Sequence, residues 1–332
     1  FGSGAQQVVL EVGGSYEGVD DVTLDAVQEA GTIWTPYDTL PLALTDAQGT
    51  ISRISGEWSV ALEASIDAAE LSPGLSLTSA NASIELQAAG SWAVTLTGAA
   101  SVGPFSATVT GTLGQPGAGL PVTGCLTGAA TGSISGITLT GLSVTACLGA
   151  VPTVTVTGQL SLGQAAAPFT GTLALGATWV LTLDLDSLAL AAGTPALTDV
   201  TLTVAQGSAS LPIAARLELV TASSTLSLGV SGSWSPSGDI SLTLAKVGNG
   251  AWVPFSGLPL SFSMFTGSLA RTGGKWSVGL TATATQVTLA TGFTLTGVTA
   301  TGTLTADGTW SVALAGTVPT AGLSLALSGT LT

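Results

Sequence analysis

Isolated carboxylates are the side chains of this sequence that come closest to a chemical site. Asp184 and Asp186 stand two apart in LTLDLDS, so on a strand both point to the same face. Such a pair is the starting point for a paired-carboxylate mechanism or for a Ca²⁺ site. Asp199 and Asp239 are further acids without acidic neighbours. We interpret all four as solvated acids at strand ends or turns.

A second group of acids lies near the start of the sequence. Asp20, Asp21 and Asp25 in GVDDVTLD offer carboxylate oxygens to Ca²⁺, but their spacing matches neither an EF-hand nor a nonapeptide calcium repeat. We therefore interpret them as a solvated acidic end of the fold. The sequence predicts no metal site.

The remaining requirements for catalysis are missing from the sequence. It contains no His, so the commonest general base and the Ser-His triad are both excluded. The glycine-rich segment 114–124 lacks the lysine of a phosphate-binding loop, and we interpret it as turns or a longer loop. The sequence predicts a protein that is not an enzyme and that needs no cofactor.

Two cysteines, Cys125 and Cys147, stand at a sequence separation of 147 − 125 = 22. This separation suits opposed positions on nearby antiparallel strands, so a disulfide is one interpretation. The other is a pair of buried thiols, because Cys behaves as a small hydrophobic residue in protein cores.

The charge distribution excludes several partners. The net charge is −14, and the five basic residues are scattered, whereas nucleic acids require clustered Lys and Arg. Thirteen of the 19 acids lie at or before Glu85, and positions 86–183 carry no charge. Either Ser and Thr hydroxyls solvate this stretch, or neighbouring molecules or a ligand cover it. Every apolar run is interrupted by Gly, Thr or Ser, so no transmembrane helix is expected.

An internal repeat organises the chain. The segment 58–99 aligns without a gap on 276–317, with 17 of 42 positions identical and a constant offset of 276 − 58 = 218. A shorter period of 92 − 58 = 34 recurs within each copy. Repeats must bury their apolar faces on their neighbours, so the repeated apolar positions predict the core. These are Trp58, Trp92, Trp276, Trp310, Leu62, Leu96, Leu280 and Leu314.

Within a repeat the apolar residues alternate with polar ones, as in a half-buried antiparallel strand. Turns at 72–74 and 89–90 divide the repeat into long hairpins, and a change of parity predicts a β-bulge near Ser79, where the later copy has Gly297. We predict an all-β fold of about eighteen to twenty-two strands in an extended antiparallel meander. Sandwich, barrel, groove and solenoid all remain compatible with this pattern.

The N-terminal part departs from the repeat. We predict an acidic N-terminal segment at 1–54 and a β-hairpin repeat domain at 55–332. Asp21 to Gly31 has the signals of a short helix, with Asp21 as N-cap and Gly31 as the stop, although VTL within it also suits a strand.

In pattern, the long hairpins with one apolar and one Ser/Thr face resemble bacterial β-repeat surface proteins and also groove-forming lipid-transfer repeats. The first resemblance implies a non-catalytic structural or self-assembling module of an extracellular surface or large particle, with copies of itself or other subunits as partners. The second implies a carrier that binds lipid on an apolar groove or tube. The sequence predicts an extracellular or cell-surface location.

Overall fold

The computed structural model describes residues 8–16, 22–37, 39–40, 42–54, 56–86, 92–115, 120–134, 137–162, 165–189, 196–220, 225–235, 238–253, 261–273, 275–290, 293–304, 310–320 and 323–331. These residues form twenty-two β-strands and no helix. The predicted all-β meander is therefore confirmed, at the upper end of the expected strand count. None of the described residues belongs to a helix that could cross a membrane.

The strands are β1 (Leu10–Tyr16), β2 (Val22–Gln28), β3 (Thr45–Ile54), β4 (Glu57–Ile66), β5 (Ala69–Ser72), β6 (Leu75–Leu86), β7 (Trp92–Val102), β8 (Phe105–Gly114), β9 (Thr123–Gly132), β10 (Thr138–Leu148), β11 (Thr153–Leu162), β12 (Ala165–Ala174), β13 (Val180–Leu188), β14 (Leu197–Ala205), β15 (Leu211–Val220), β16 (Thr225–Trp234), β17 (Ile240–Lys246), β18 (Met264–Thr272), β19 (Lys275–Ala290), β20 (Phe293–Leu304), β21 (Trp310–Thr320) and β22 (Leu323–Leu331).

The chain divides into two compact units. Unit 1 consists of Phe1–Ile134, Leu139–Gln159 and Thr170–Leu181. Its strands from β1 to β10 pair antiparallel in sequence order, except that β4 and β5 both pair with β6. Unit 2 consists of Ser135–Thr138, Leu160–Phe169 and Thr182–Thr332, and its strands from β14 to β22 likewise pair in sequence order.

Alternation along each strand separates an inner, apolar face from an outer, polar face. In β4, Val60, Leu62, Ala64 and Ile66 are buried, while the residues between them are mostly exposed. The same alternation runs through β8, where the inner positions from 105 to 113 are all buried except Gly111. A period of two buries every second side chain of a strand, so a small set of Val, Leu and Ile side chains fills the interior.

The predicted helix at Asp21–Gly31 is wrong. Val22–Gln28 form β2, which pairs with β1 on one side and with β3 on the other. A strand with partners on both edges satisfies its backbone groups, and this outweighs the local capping signals that favoured a helix. Because β3 in turn pairs with β4, the hairpin sheet begins before residue 55.

The predicted bulge is confirmed in both copies of the repeat. The register between β6 and β7 shifts between Leu77 and Ser79, and that between β20 and β21 shifts between Thr296 and Thr299. Gly297, inside the second shift, has a positive φ of 58°. The predicted turn at 72–74 is also present, with Gly74 at φ 79°. The predicted turn at 89–90 lies outside the described residues.

The internal repeat extends well beyond the segment 58–99. The same offset of 218 aligns positions 8–114 with 226–332, and by our count 35 of these 107 positions are identical. We call these two segments the copies of the long repeat. Each strand in the first copy has an equivalent in the second: β1 with β16, β2 with β17, β3 with β18, β4 and β5 with β19, β6 with β20, β7 with β21, and β8 with β22.

Candidate functional site

The isolated acids have structural partners in the fold. The Asp184 carboxylate accepts a hydrogen bond from the Thr201 hydroxyl at 3.1 Å. Asp199, which has a positive φ of 50°, lies 3.5 Å from the Arg216 guanidinium in an exposed ion pair. Asp239 accepts a hydrogen bond from the Gly273 amide at 3.0 Å. These acids therefore support turns, a bulge and strand pairs of unit 2.

The structure places Asp184 and Asp186 on the same exposed face of β13, as predicted, but it does not bring them together with the other predicted acids. Asp25 is exposed on β2 of unit 1. Asp20 and Asp21 lie outside the described residues. Within the described part of the chain, no group of three or more His, Cys, Asp or Glu side chains is placed to hold a metal ion.

The outer face of unit 1 changes character between β6 and β7. On β2 to β6 it carries Asp25, Asp46 and Glu63, which with amide and hydroxyl side chains line two adjoining depressions of about 490 and 450 Å³. From β7 to β10 the outer side chains are those of Thr, Ser, Ala and Cys. The acidic half of this face thus borders an uncharged half.

We call the uncharged half the hydroxyl face and define it by the outer residues of β7 to β10. Alternation places the following threonines on this side: Thr95 and Thr97 of β7, Thr108, Thr110 and Thr112 of β8, Thr127 of β9 and Thr145 of β10. The registers bring Thr97, Thr110, Thr127 and Thr145 into one row across four strands. Neighbours in such a row are separated by about 4.8 Å, the spacing of adjacent strands.

The threonine hydroxyls of the hydroxyl face hydrogen-bond to one another in pairs. Thr95 and Thr112 are joined at 2.8 Å, Thr97 and Thr110 at 3.0 Å, and Thr127 and Thr145 at 3.1 Å. A polar group that already has a partner loses less when water is removed from it. The face is therefore polar, uncharged and comparatively easy to desolvate.

Cys125 and Cys147 also lie on the hydroxyl face and form a disulfide. They are directly opposed on β9 and β10, with an S–S distance of 2.07 Å and a Cα–Cα distance of 4.0 Å. Cys125 is exposed and Cys147 is half-buried. The bond fastens two strands of this face at the position where Cys125 also faces Thr112 of β8.

Beneath the sheet of unit 1, the described part of residues 33–44 packs against the inner face; we call this segment the strap. Trp34, Leu42 and Leu44 are completely buried, and Trp34 and Leu44 form an antiparallel bridge with hydrogen bonds of 3.0 and 2.8 Å. The Tyr37 hydroxyl donates a hydrogen bond to the Leu113 carbonyl at 2.7 Å. The strap therefore contributes apolar side chains to the interior of unit 1.

Tyr37 is held in a strongly apolar setting. Burial raises the pKa of its phenol well above the ordinary value, and a hydrogen bond with the Val94 backbone opposes this only in part. Val94 and Leu113 are paired residues of β7 and β8. The hydroxyl thus attaches the strap to both strands at a single rung of the ladder.

The predicted repeat-core residues have different surroundings. Leu62, Leu96 and Leu280 are buried. Trp58 is 55% exposed and is not a core residue, because it lies at the end of β4, where the Arg53 guanidinium stacks 5.9 Å from its ring. The side chains of Trp92, Trp276, Trp310 and Leu314 are outside the described part of the structure.

The strap was missed by the sequence interpretation, although a signal for it exists. The offset of 218 aligns WTPYDTLPL at 34–42 with WVPFSGLPL at 252–260, and both contain the motif W-x-P-x-x-x-L-P-L. In unit 2, Trp252 and Phe262 form the equivalent bridge, and Trp252 packs edge-on to Phe265 at 5.1 Å. The motif could therefore have indicated that the bridge at Trp34 recurs at Trp252.

The described strands define an antiparallel β-hairpin repeat protein. No protein-family model, curated protein or solved structure matches the chain.

Proposed function

We propose that the chain is a non-catalytic structural or self-assembling β-repeat module of an extracellular surface or large particle. The observation that carries this proposal is the hydroxyl face: a broad, uncharged, internally hydrogen-bonded sheet surface above buried apolar side chains. The function is therefore to present surface and shape, with copies of itself or other subunits of an assembly as partners.

Desolvation energetics favour contact through the hydroxyl face. Burying an unpaired charge costs several kcal/mol, and an unpaired hydroxyl about 1 to 3 kcal/mol. The face has no charge, and three pairs of its threonines already satisfy one another. Two such faces can meet without large penalties, and their methyl groups and alanines add apolar area.

A lipid carrier is the alternative, and it requires apolar side chains that a ligand can reach. The inner side chains beneath the hydroxyl face are already shielded: Val94, Leu96, Leu113, Leu126 and Val144 are completely buried. Burial of this kind supports the scaffold rather than the carrier.

The disulfide supports an extracellular location. Disulfides persist in oxidising compartments and are rare in the cytosol. Cys125 is exposed, so a cytosolic reductant would have direct access to the bond. We therefore propose that the protein works outside the cell. Because it has few basic residues, we also propose that it does not bind nucleic acid.

Sedimentation velocity over a range of protein concentrations tests self-assembly. We expect the wild type to form larger species as concentration rises, with little change between low and high salt because the contact is uncharged. Thr127→Lys places one charge in the middle of the threonine row. It should weaken association by about tenfold or more, since a tenfold change corresponds to only about 1.4 kcal/mol.

Thr50→Lys is the matched control, because Thr50 is an exposed outer residue of β3 on the acidic half of the same unit. It should leave association unchanged. A wild type that remains monomeric at every concentration, or one that Thr127→Lys and Thr50→Lys affect equally, would contradict assembly through the hydroxyl face.

A further inference from the structure

Equivalent strands of the two repeat copies have different neighbours. In the second copy, β16 pairs with β15 on one edge and with β17 on the other. Its equivalent in the first copy, β1, pairs with β2, and the described part of unit 1 shows no strand on its other edge. The repeat itself therefore shows what an occupied edge at this position looks like.

Burial differs between the copies in the way that a missing strand predicts. Leu228 and Val230 of β16 are 0% and 3% exposed, and Leu242 of β17 is 2% exposed. Of the equivalent residues, Val12 is 55% exposed, and Leu10 and Leu24 are half-buried. An apolar strip that is covered in one copy is thus open along the β1 edge in the other.

We propose that the edge of β1 binds an extended segment of another subunit of the assembly that has the residue pattern of β15, with aliphatic residues on the inner face and an arginine on the outer face. The inference rests on the proposed function, because it describes how this module joins a neighbouring subunit by continuing the sheet. Open edges with accessible apolar residues are templates for such strand addition, in which backbone hydrogen bonds give affinity and side-chain pockets give register.

The register of β15 on β16 transfers directly to β1. Leu217 faces Leu228 and Ala215 faces Val230, so the incoming strand would place these two side chains opposite Leu10 and Val12. Its alternation puts aliphatic residues over the open strip and Arg216 and Glu218 on the outer face.

Charge complementarity supports the same register. Arg216 of β15 faces Gly229 of β16, and the residue equivalent to Gly229 in β1 is Glu11. Glu11 is exposed on the outer face of β1. A strand of the β15 kind therefore brings an arginine opposite a glutamate, and opposite charges in directly facing positions stabilise a strand pair.

Fluorescence polarisation with a labelled synthetic peptide of residues 211–220 tests the proposal on the full chain. We expect saturable binding. A peptide with Arg216→Glu should bind about threefold to tenfold more weakly, in line with the size of cross-strand charge pairs. Glu11→Arg in the chain should restore its binding. Val12→Lys should abolish binding of the unmodified peptide, since it puts a charge into the open strip.

Ile54→Lys is the control, because Ile54 is similarly exposed at the end of β3, away from the open edge of β1. This variant should bind the peptide normally. Binding that survives Val12→Lys would mean that the peptide replaces β15 on β16, and would overturn the proposal. An absence of saturable binding would also overturn the proposal. So would a dimer of the chain that Val12→Lys dissociates, because such a dimer would indicate pairing between two β1 strands.

The two proposals fail separately. If the peptide variants bind as predicted but the chain stays monomeric, only the proposal of assembly through the hydroxyl face is contradicted. Assembly sensitive to Thr127→Lys without peptide binding contradicts the β1 proposal alone.

Discussion

At the scale of single residues, Tyr37 shows how the interior is fastened. Its ring is buried with the strap, and its hydroxyl reaches the ladder between β7 and β8. The second copy has Phe255 at the equivalent position. The hydrogen bond is therefore a feature of the first copy, whereas an aromatic residue is common to both.

Tyr37→Phe should lower the free energy of unfolding by about 1 to 2 kcal/mol at neutral pH, because the Leu113 carbonyl loses a buried donor. The pKa of Tyr37 is raised in the folded state, so the unfolded chain releases its phenolic proton first as pH rises. Wild-type stability should therefore fall above pH of about 10, the ordinary pKa of tyrosine.

Urea unfolding between neutral and alkaline pH measures both effects. The alkaline loss should be smaller in Tyr37→Phe than in the wild type. Tyr16→Phe, which changes the only other tyrosine of the sequence, is the comparison variant. Equal alkaline slopes for wild type and Tyr37→Phe would show that Tyr37 is not responsible.

Trp58 shows where prediction from single positions stops. The repeat correctly places Trp58 in phase with buried Val60 and Leu62. Periodicity predicts which face of a strand a residue lies on, but not where along the strand burial ends. Trp58 lies near the start of β4 and is exposed, whereas the next residue on the same face, Val60, is buried. Its partner Arg53 is opposite it in the register, a relation that sequence alone did not indicate.

At the scale of elements, glycines within strands allow neighbouring strands to approach closely. A Cβ atom at Gly128 of β9 would collide with the Thr108 carbonyl oxygen and the Val109 backbone of β8. Gly111 of β8 has the same relation to Cys125 of β9. Glycine inside a strand commonly marks such close backbone contact.

Gly128→Ala should therefore destabilise unit 1 by about 1 to 3 kcal/mol, the usual cost of forcing an extra group into a packed site. Gly13→Ala is the matched control, because Gly13 is also within a strand but has no heavy atom within 4 Å of the added Cβ. Denaturant midpoints of both variants decide the matter. A Gly128→Ala protein as stable as Gly13→Ala would refute the close approach.

Elements were predicted well where they depend on local pattern and poorly where they depend on partners. Alternation and turn residues indicated the hairpins, and the change of parity near Ser79 indicated the bulge. The segment Val22–Gln28 is ambiguous by itself and becomes a strand because β1 and β3 flank it. Its identity comes from pairing that no local signal encodes.

At the scale of the whole molecule, one duplication accounts for most of the organisation. The offset of 218 relates strands, strap bridges and bulges of the two copies. The sequence interpretation found this offset but limited it to the segments with obvious Trp motifs. The strap was therefore not recognised as part of the repeat, although its Trp and Pro residues recur at the same distance.

The hydroxyl face was only half predicted. The charge gap at 86–183 indicated either a hydroxyl-solvated or a covered surface. The structure adds the registers, which place four threonines in a row and pair their hydroxyls. Rows across strands depend on register, and register can be derived only once the turns and bulges are known.

Native mass spectrometry of the purified chain, before and after extraction with organic solvent, tests most directly whether the molecule is a self-filled structural module. We predict masses that are whole multiples of the 32.3 kDa chain, unchanged by extraction. A monomer carrying a stoichiometric acyl ligand that extraction removes would contradict the account, because it would show an interior filled by lipid instead of by the chain's own side chains.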